Sequence, residues 1–249
     1  LAIDRPYRVL ISFLGKLSYE REVMIEKAIN RYGQLSLWKK IDHITIDINS
    51  IGGIIPKLKG IGRTFPHFGR VCVFPHELRV VFFDRGGAEL GFFEAGAVAL
   101  KNQKPIENYR LKFRGLSKYR RWNLADAIYF FGYAIATYTG IPFILENIIE
   151  KEQAWGEGFR IDAKFPDHFH THSLRQSFYF SKEGLLVRHD YHAEILGWFA
   201  YGAHLTSDFK EMNGFPIARC RQVYARIGNL VTPVPVLQAS LEPVDVVLN

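Results

Sequence analysis

Alternation of apolar and polar residues is the dominant pattern in this chain. Residues 41–49 read Ile-Asp-His-Ile-Thr-Ile-Asp-Ile-Asn, a period of two that predicts a strand with one buried face. Gly52-Gly53 marks a turn, and residues 54–61 read as the return strand, with Pro56 placing it at an edge or bulge. A hairpin is predicted from 71–74 and 78–83, the turn Asp84-Arg85-Gly86-Gly87 follows, and 91–100 fits a further short strand. From residue 159 onward the pattern predicts a meander over 159–165, 169–180, 185–193, 201–209, 215–225 and 234–247.

Two stretches change period. Within 18–32, Tyr19, Val23, Ile25, Ala28 and Ile29 recur at helical spacing, and Gly33 is placed to end the helix. Residues 124–139 are dense in aromatics and alanine, with Asn123 or Asp126 available as a cap and Pro142 just beyond. They predict one buried helix. About ten strands against two helices give a mainly β (α+β) fold, a curled antiparallel sheet or half-barrel enclosing a central helix, with an N-terminal helix. One domain is expected over 1–249, an extension (1–17) followed by the half-barrel (18–249).

The most informative segment is 168–192, which holds five of the nine histidines. Two strand-forming runs flank Ser181-Lys182-Glu183-Gly184, a hairpin signature. With Phe180 opposite Leu185, one face carries Leu174, Gln176, Phe178, His189 and Tyr191, with His172 alongside. The other carries Arg175, Ser177, Arg188 and Asp190, with Arg175 and Asp190 as a cross-strand ion pair. A loop with a bulge is the rival register and would swap the faces of one strand relative to the other. An apolar face studded with His172, Gln176 and His189 fits a pocket for a largely apolar molecule, or a core whose polar groups are simply satisfied.

Composition supports a ligand binder rich in strands: 20 Phe, 12 Tyr and 4 Trp in 249 residues. The net charge of +7 favours acidic partners without diagnosing nucleic acid. Residues 110–121 hold six Lys or Arg interleaved with Phe113 and Tyr119; a solvated connection into the central helix is the expected role, with an anionic membrane surface as the functional version. No apolar run is long enough to span a bilayer. Cys72 and Cys220 form no disulfide framework and fit a reducing compartment, so the cytoplasm is expected. Because the chain starts at Leu1, a processed N-terminus leaves the periplasm or secretion open.

No metal or cofactor is expected. His168-x-His170-x-His172 has a ligand-like spacing, but no Cys or Glu completes it nearby. There is no Gly-x-Ser-x-Gly elbow, and neither Gly pair opens a helix after a strand as a phosphate loop would. His189 is the candidate acid/base, with Gln176, His172 or Tyr191 hydrogen-bonding a substrate. Asp190 should point the opposite way, so His189-Asp190 is not a dyad.

Several motifs together carry a resemblance: Leu37-Trp38-Lys39-Lys40-Ile41, Gly52-Gly53, Lys59-Gly60, Phe131-Gly132-Tyr133-Ala134, Thr171-His172-Ser173 with Gln176, and Arg188-His189-Asp190-Tyr191. From about Ile25 to Val247 the chain resembles a family of largely uncharacterised bacterial proteins, similar in strand layout to the lipoprotein-carrier (LolA-like) half-barrels. That resemblance implies an antiparallel sheet curled around a helical plug and holding acyl chains or other apolar ligands. The chain departs from a periplasmic carrier in showing neither a lipoprotein-type Cys nor an export signal near its start. Two functions follow as expectations. One is a soluble binding protein for a hydrophobic small molecule or lipid, lined by Leu174, Phe178, Tyr129, Tyr133 and Tyr191, with His172, Gln176 and His189 meeting its polar end. The other is a cofactor-independent isomerase, cyclase or hydratase using His189.

Overall fold

The computed structural model describes residues 24–62, 67–228 and 230–249. Among them, five strands build one arm of a sheet: β1 (Ile41–Gly52), β2 (Phe68–Phe74), β3 (Arg79–Asp84), β4 (Glu89–Glu94) and β5 (Ala97–Leu100). The other arm is β6 (Ile149–Trp155), β7 (Gly158–Lys164), β8 (Arg175–Phe180), β9 (Leu186–His192), β10 (Tyr201–Met212) and β11 (Phe215–Ile227), with the two-residue β12 (Leu230–Val231) folded back on β11. The last strand, β13 (Leu237–Leu248), pairs with both β1 and β11 and joins the arms. The order is β5-β4-β3-β2-β1-β13-β11-β10-β9-β8-β7-β6, with β12 off that path. Every pairing is antiparallel, and the outermost strands β5 and β6 do not meet, so the sheet curls without closing.

The central helix is α4 (Leu124–Gly140), as predicted to within a residue. Fourteen of its 17 residues are buried, so it has no solvent face and must be wrapped. It packs directly on β2–β5. Gly132 permits that approach, since a Cβ there would fall 2.2 Å from the Phe93 Cβ. The start of the helix is tied down by Asp126, whose side chain is fully buried. Asp126 and Asn123 form a reciprocal capping box. The same carboxylate accepts from Arg120 Nη1 (2.5 Å) and Nη2 (2.7 Å) and from the Tyr109 hydroxyl (3.1 Å).

Of the predicted N-terminal helix, residues 24–31 are helical and form α1, while 18–23 lie outside the described residues. Ile25, Ala28, Ile29 and Tyr32 are its buried side. It seats on the turn before β9, where Gly184 has φ +88° and a Cβ would stand 2.7 Å from the Lys27 carbonyl.

Three expectations need correction. Residues 54–61 are not a return strand but begin as a short helix, α3 (Ile54–Lys59). Gly53 at φ +107° redirects the chain, and Pro56 falls in the first turn, where its missing N–H has no partner to lose. Residues 91–100 are not one strand: Ala95 and Gly96, both at positive φ, fold them into the β4–β5 hairpin. The sheet also holds more strands than expected, partly because the charged run Ile149–Trp155 forms edge strand β6. A second short helix, α2 (Gln34–Trp38), was not foreseen. Among the described residues no helix is long and apolar enough to cross a membrane.

The capping cluster yields a direct test. Asp126→Ala removes a cap and leaves the Tyr109 hydroxyl without its acceptor, so it should destabilise the fold by about 2–4 kcal/mol, read from urea unfolding. An unchanged midpoint would mean that this carboxylate does not anchor α4.

Candidate functional site

Because α4 packs most closely on one arm and meets the other mainly through Tyr133 and Tyr138, space remains between its other side and the seam of the sheet. The helix lines that space with Phe130, Phe131, Ala134, Ile135, Tyr138 and Thr139, one stripe at helical spacing. Strand alternation supplies the opposite wall: Ile46 and Ile48 of β1, Val223 of β11, and Leu237, Ala239 and Leu241 of β13. The register brings these together, with Val223 opposite Leu237 and Ile48 opposite Leu241. The chamber's cavity volume is about 80 Å³. A second hollow of about 380 Å³ shares Phe130, Tyr191, Val223 and Leu237 with it. That outer hollow opens between α3 and the segment before β10, past the exposed side chains of Leu58, Tyr119, Phe199 and Tyr201.

A few polar groups interrupt this apolar lining. His172 is buried, stacks on Tyr191 with ring centroids 3.8 Å apart, and has Tyr133 Oη 3.1 Å from Nδ1 and Tyr138 Oη 2.8 Å from Nε2. A neutral imidazole carries one N–H, so one tyrosine donates to the bare nitrogen and the other accepts. Burial, helped by neighbouring His189 and Arg110, holds His172 well below the ordinary histidine range. Burial also raises Tyr133 and Tyr138 well above the usual phenol value, so the network is neutral. Arg110 fixes the loop that carries His172, donating to the Thr171 carbonyl at 2.7 Å while paired with Glu194 at 2.5 Å.

His189 sits behind this layer and does not line the chamber. Its Nε2–H donates to Gln176 Oε1 at 2.5 Å, the amide being oriented by its own donation to Thr171 Oγ1 and the Ser173 carbonyl. Phe178 covers one ring face at a centroid distance of 4.4 Å. Burial, with Arg221 nearby, pushes His189 down to about 3. The sequence-based acid/base candidate is therefore a neutral core histidine with no access to the cavity, and the geometry lends its proposed catalytic role no support.

The hairpin register also differs from the prediction. Phe178 pairs with His189, Ser177 with Asp190, and, past an irregularity, Phe180 with Leu186 rather than Leu185. The turn is wider than the Ser181–Gly184 motif implied: Ser181 N–H donates to the Leu185 carbonyl. Below the bulge the shift is two residues, so His172, Gln176, Phe178, His189 and Tyr191 keep the inner side and Arg175, Arg188 and Asp190 the outer. The expected Arg175–Asp190 ion pair is absent; Arg175 pairs with Glu150, and buried Asp190 with Arg188 and Arg226. Leu186, expected outside, is buried.

Of the predicted ligand contacts, Tyr191 and His172 reach the cavity. Tyr133, Gln176 and Phe178 support them from behind. Leu174 lies in the bend before β8 and Tyr129 donates toward His170 at 2.8 Å, so neither lines it. His170 and His172 thus turn to different tyrosines rather than to a common point. Besides the aliphatic and phenylalanine walls, the cavity residues that sequence reasoning did not select are Tyr138, Thr139, His204 and Arg221. Parity with Ile217 and Val223 does not single out the last, because the ion-paired surface residue Arg219 shares it.

No family model and no curated protein matches the chain. Among solved structures it is similar to a LolA superfamily protein from Nitrosomonas europaea, at 6% identity and a TM-score of 0.48, over 91% of this chain and 94% of that one. It is also similar to a DUF1329 family protein from Desulfovibrio piger, at 12% identity and a TM-score of 0.38, over 90% and 91%.

The buried histidines impose a pH dependence. His172, His189 and His204 are all held below their unfolded value near 6.5, so the unfolded chain binds more protons than the native one as pH falls. Stability should be fully present above about 6.5 and fall progressively toward pH 3, each histidine contributing a slope of about 1.4 kcal/mol per pH unit. His204→Phe should make that slope shallower in urea titrations below about pH 6.5. An unaltered slope would show that His204 is protonated in the native state.

Proposed function

We propose that this protein binds a hydrophobic small molecule or lipid between the central helix and the curled sheet. The observation that carries the proposal is the apolar cavity, whose inner chamber runs into an outer hollow through shared Phe130, Tyr191, Val223 and Leu237. Core packing normally leaves few voids larger than a water molecule, and a connected apolar space with a handful of convergent polar groups is the usual form of a ligand pocket. The cavity is also constructed rather than left over. Ala134 and Ala239 occupy wall positions where larger side chains would fill it, while His172, Tyr133 and Tyr138 hold one another in place beside it. A prealigned wall reduces the ordering that binding requires.

Binding of the neutral apolar dye N-phenyl-1-naphthylamine tests this reading. The parent protein should enhance and blue-shift its fluorescence, and Ala134→Trp, which fills the chamber, should weaken binding by about tenfold or more. The same variant should unfold at or near the parental midpoint, because the indole enters empty space instead of displacing packed atoms. Native mass spectrometry of protein purified from its own source should reveal an adduct that Ala134→Trp lacks. Dye binding that is indifferent to Ala134→Trp would place the ligand elsewhere.

A further inference from the structure

We propose that the ligand is an amphiphile bearing one anionic group, and that Arg221 receives that group inside the chamber with His204 beside it. The inference rests on the cavity being a ligand site and adds the chemistry of its occupant.

Arg221 extends from β11 into the chamber, with its Cζ 5.0 Å from the centre of the Tyr138 ring. Its Nη1 is shielded from solvent and has no hydrogen-bond partner. Other arginines in this region are matched: Arg110 by Glu194, Arg120 by Asp126, and Arg188 and Arg226 by Asp190. Among the described residues Arg221 takes part in no ion pair, and neither hollow is lined by an Asp or Glu. A guanidinium cannot escape this situation by losing its proton, and an unmatched charge in an apolar wall is unfavourable. A bound anion would remove the mismatch, and the planar fork of arginine suits a carboxylate or phosphate.

His204 supplies the neighbouring donor. It is 3% exposed, lines the same chamber, and neither ring nitrogen has a hydrogen-bond partner. Its ring centre stands 4.8 Å from that of Tyr138. In the β10–β11 ladder His204 pairs with Val223 and Thr206 with Arg221, so the imidazole and the guanidinium are diagonal neighbours on one face. Two unsatisfied polar side chains converging on one ring within an apolar chamber describe a headgroup site.

The mouth has a matching bias. Lys59 lines the outer hollow, and of the nine Lys or Arg in segments 55–59, 109–121, 193–202 and 223–237, three are matched (Arg110 by Glu194, Arg120 by Asp126, Arg226 by Asp190), leaving six that make no ion pair among the described residues. Such a field favours approach of an anion over a neutral or cationic amphiphile. Charge at the entrance and charge in the interior therefore select the same class.

Displacement of N-phenyl-1-naphthylamine by hexadecanoate, hexadecan-1-ol and hexadecyltrimethylammonium, each below its micellar concentration, tests the inference. Hexadecanoate should compete about tenfold or more better than the alcohol, and the cation worst. Lysophosphatidylglycerol distinguishes the source of the anion: if it outcompetes hexadecanoate, the head is a phosphodiester rather than a free carboxylate. Arg221→Met should bring acid and alcohol within about threefold of each other while the dye still binds, and Arg221→Lys, which keeps the charge but not the fork, should fall between. Should Arg221→Met fold poorly, the acid-to-alcohol ratio of the parent protein decides. Equal competition by acid and alcohol in the parent would overturn the anionic head while leaving the cavity as a ligand site. Failure of the parent to bind the dye or any of the amphiphiles would overturn both.

Discussion

A helix with no polar side governs this architecture. With 14 of 17 residues buried, α4 cannot lie on a surface, and one flat sheet would cover only part of it. The sheet therefore curls, and the chain achieves this by bringing its last strand back between the first strand and β11. Without β13 the two arms would be separate meanders, each leaving much of α4 uncovered. The buried Asp126 cluster makes the arrangement specific, because it fixes where the helix begins and which loop lies over that end.

The fit is asymmetric, and the asymmetry creates the cavity. On the β2–β5 side a glycine allows the helix backbone to approach Phe93 directly. On the seam side the wall is Ile, Val, Leu and Ala, and the helix presents Ala134 between larger residues. Filling that side would have needed only larger aliphatic side chains, and the gain in apolar burial would have been substantial. The space is kept, and groups that are costly to bury are placed around it.

Those groups separate into two kinds. His172, Tyr133, Tyr138, His189 and Gln176 hold one another through hydrogen bonds and stacking as a neutral scaffold, with His189 Nδ1 left unpartnered behind the chamber wall. Arg221 and His204 are left with unsatisfied nitrogens facing the same chamber. A protein that orients the amide of Gln176 through two donated hydrogen bonds does not lack the means to satisfy a guanidinium. The unmatched pair is therefore best understood as completed by something other than the chain.

Sequence pattern carried much of this, with specific failures. The parity of a strand is insensitive to a two-residue slip, so the inward set around His172, Gln176 and His189 was legible although every partner was misassigned. The helix 124–139 was legible because aromatics crowd its whole circumference. Helix α3 was not, because Ile54-Ile55-Pro56 looks like an edge strand until the backbone of Gly53 is known. The cavity was misplaced for a different reason. Local density of histidine drew attention to one hairpin, whereas the chamber forms across the seam, where residues far apart in sequence, such as Ile48, Tyr138, Arg221 and Leu237, converge only when β13 joins the two arms. Single-strand alternation puts both Arg219 and Arg221 in phase with Ile217 and Val223, and only the structure shows that Arg219 pairs at the surface while Arg221 lines the chamber. A charge on the wrong face of a strand is a local conflict, and such conflicts concentrate where a fold gives up stability for function.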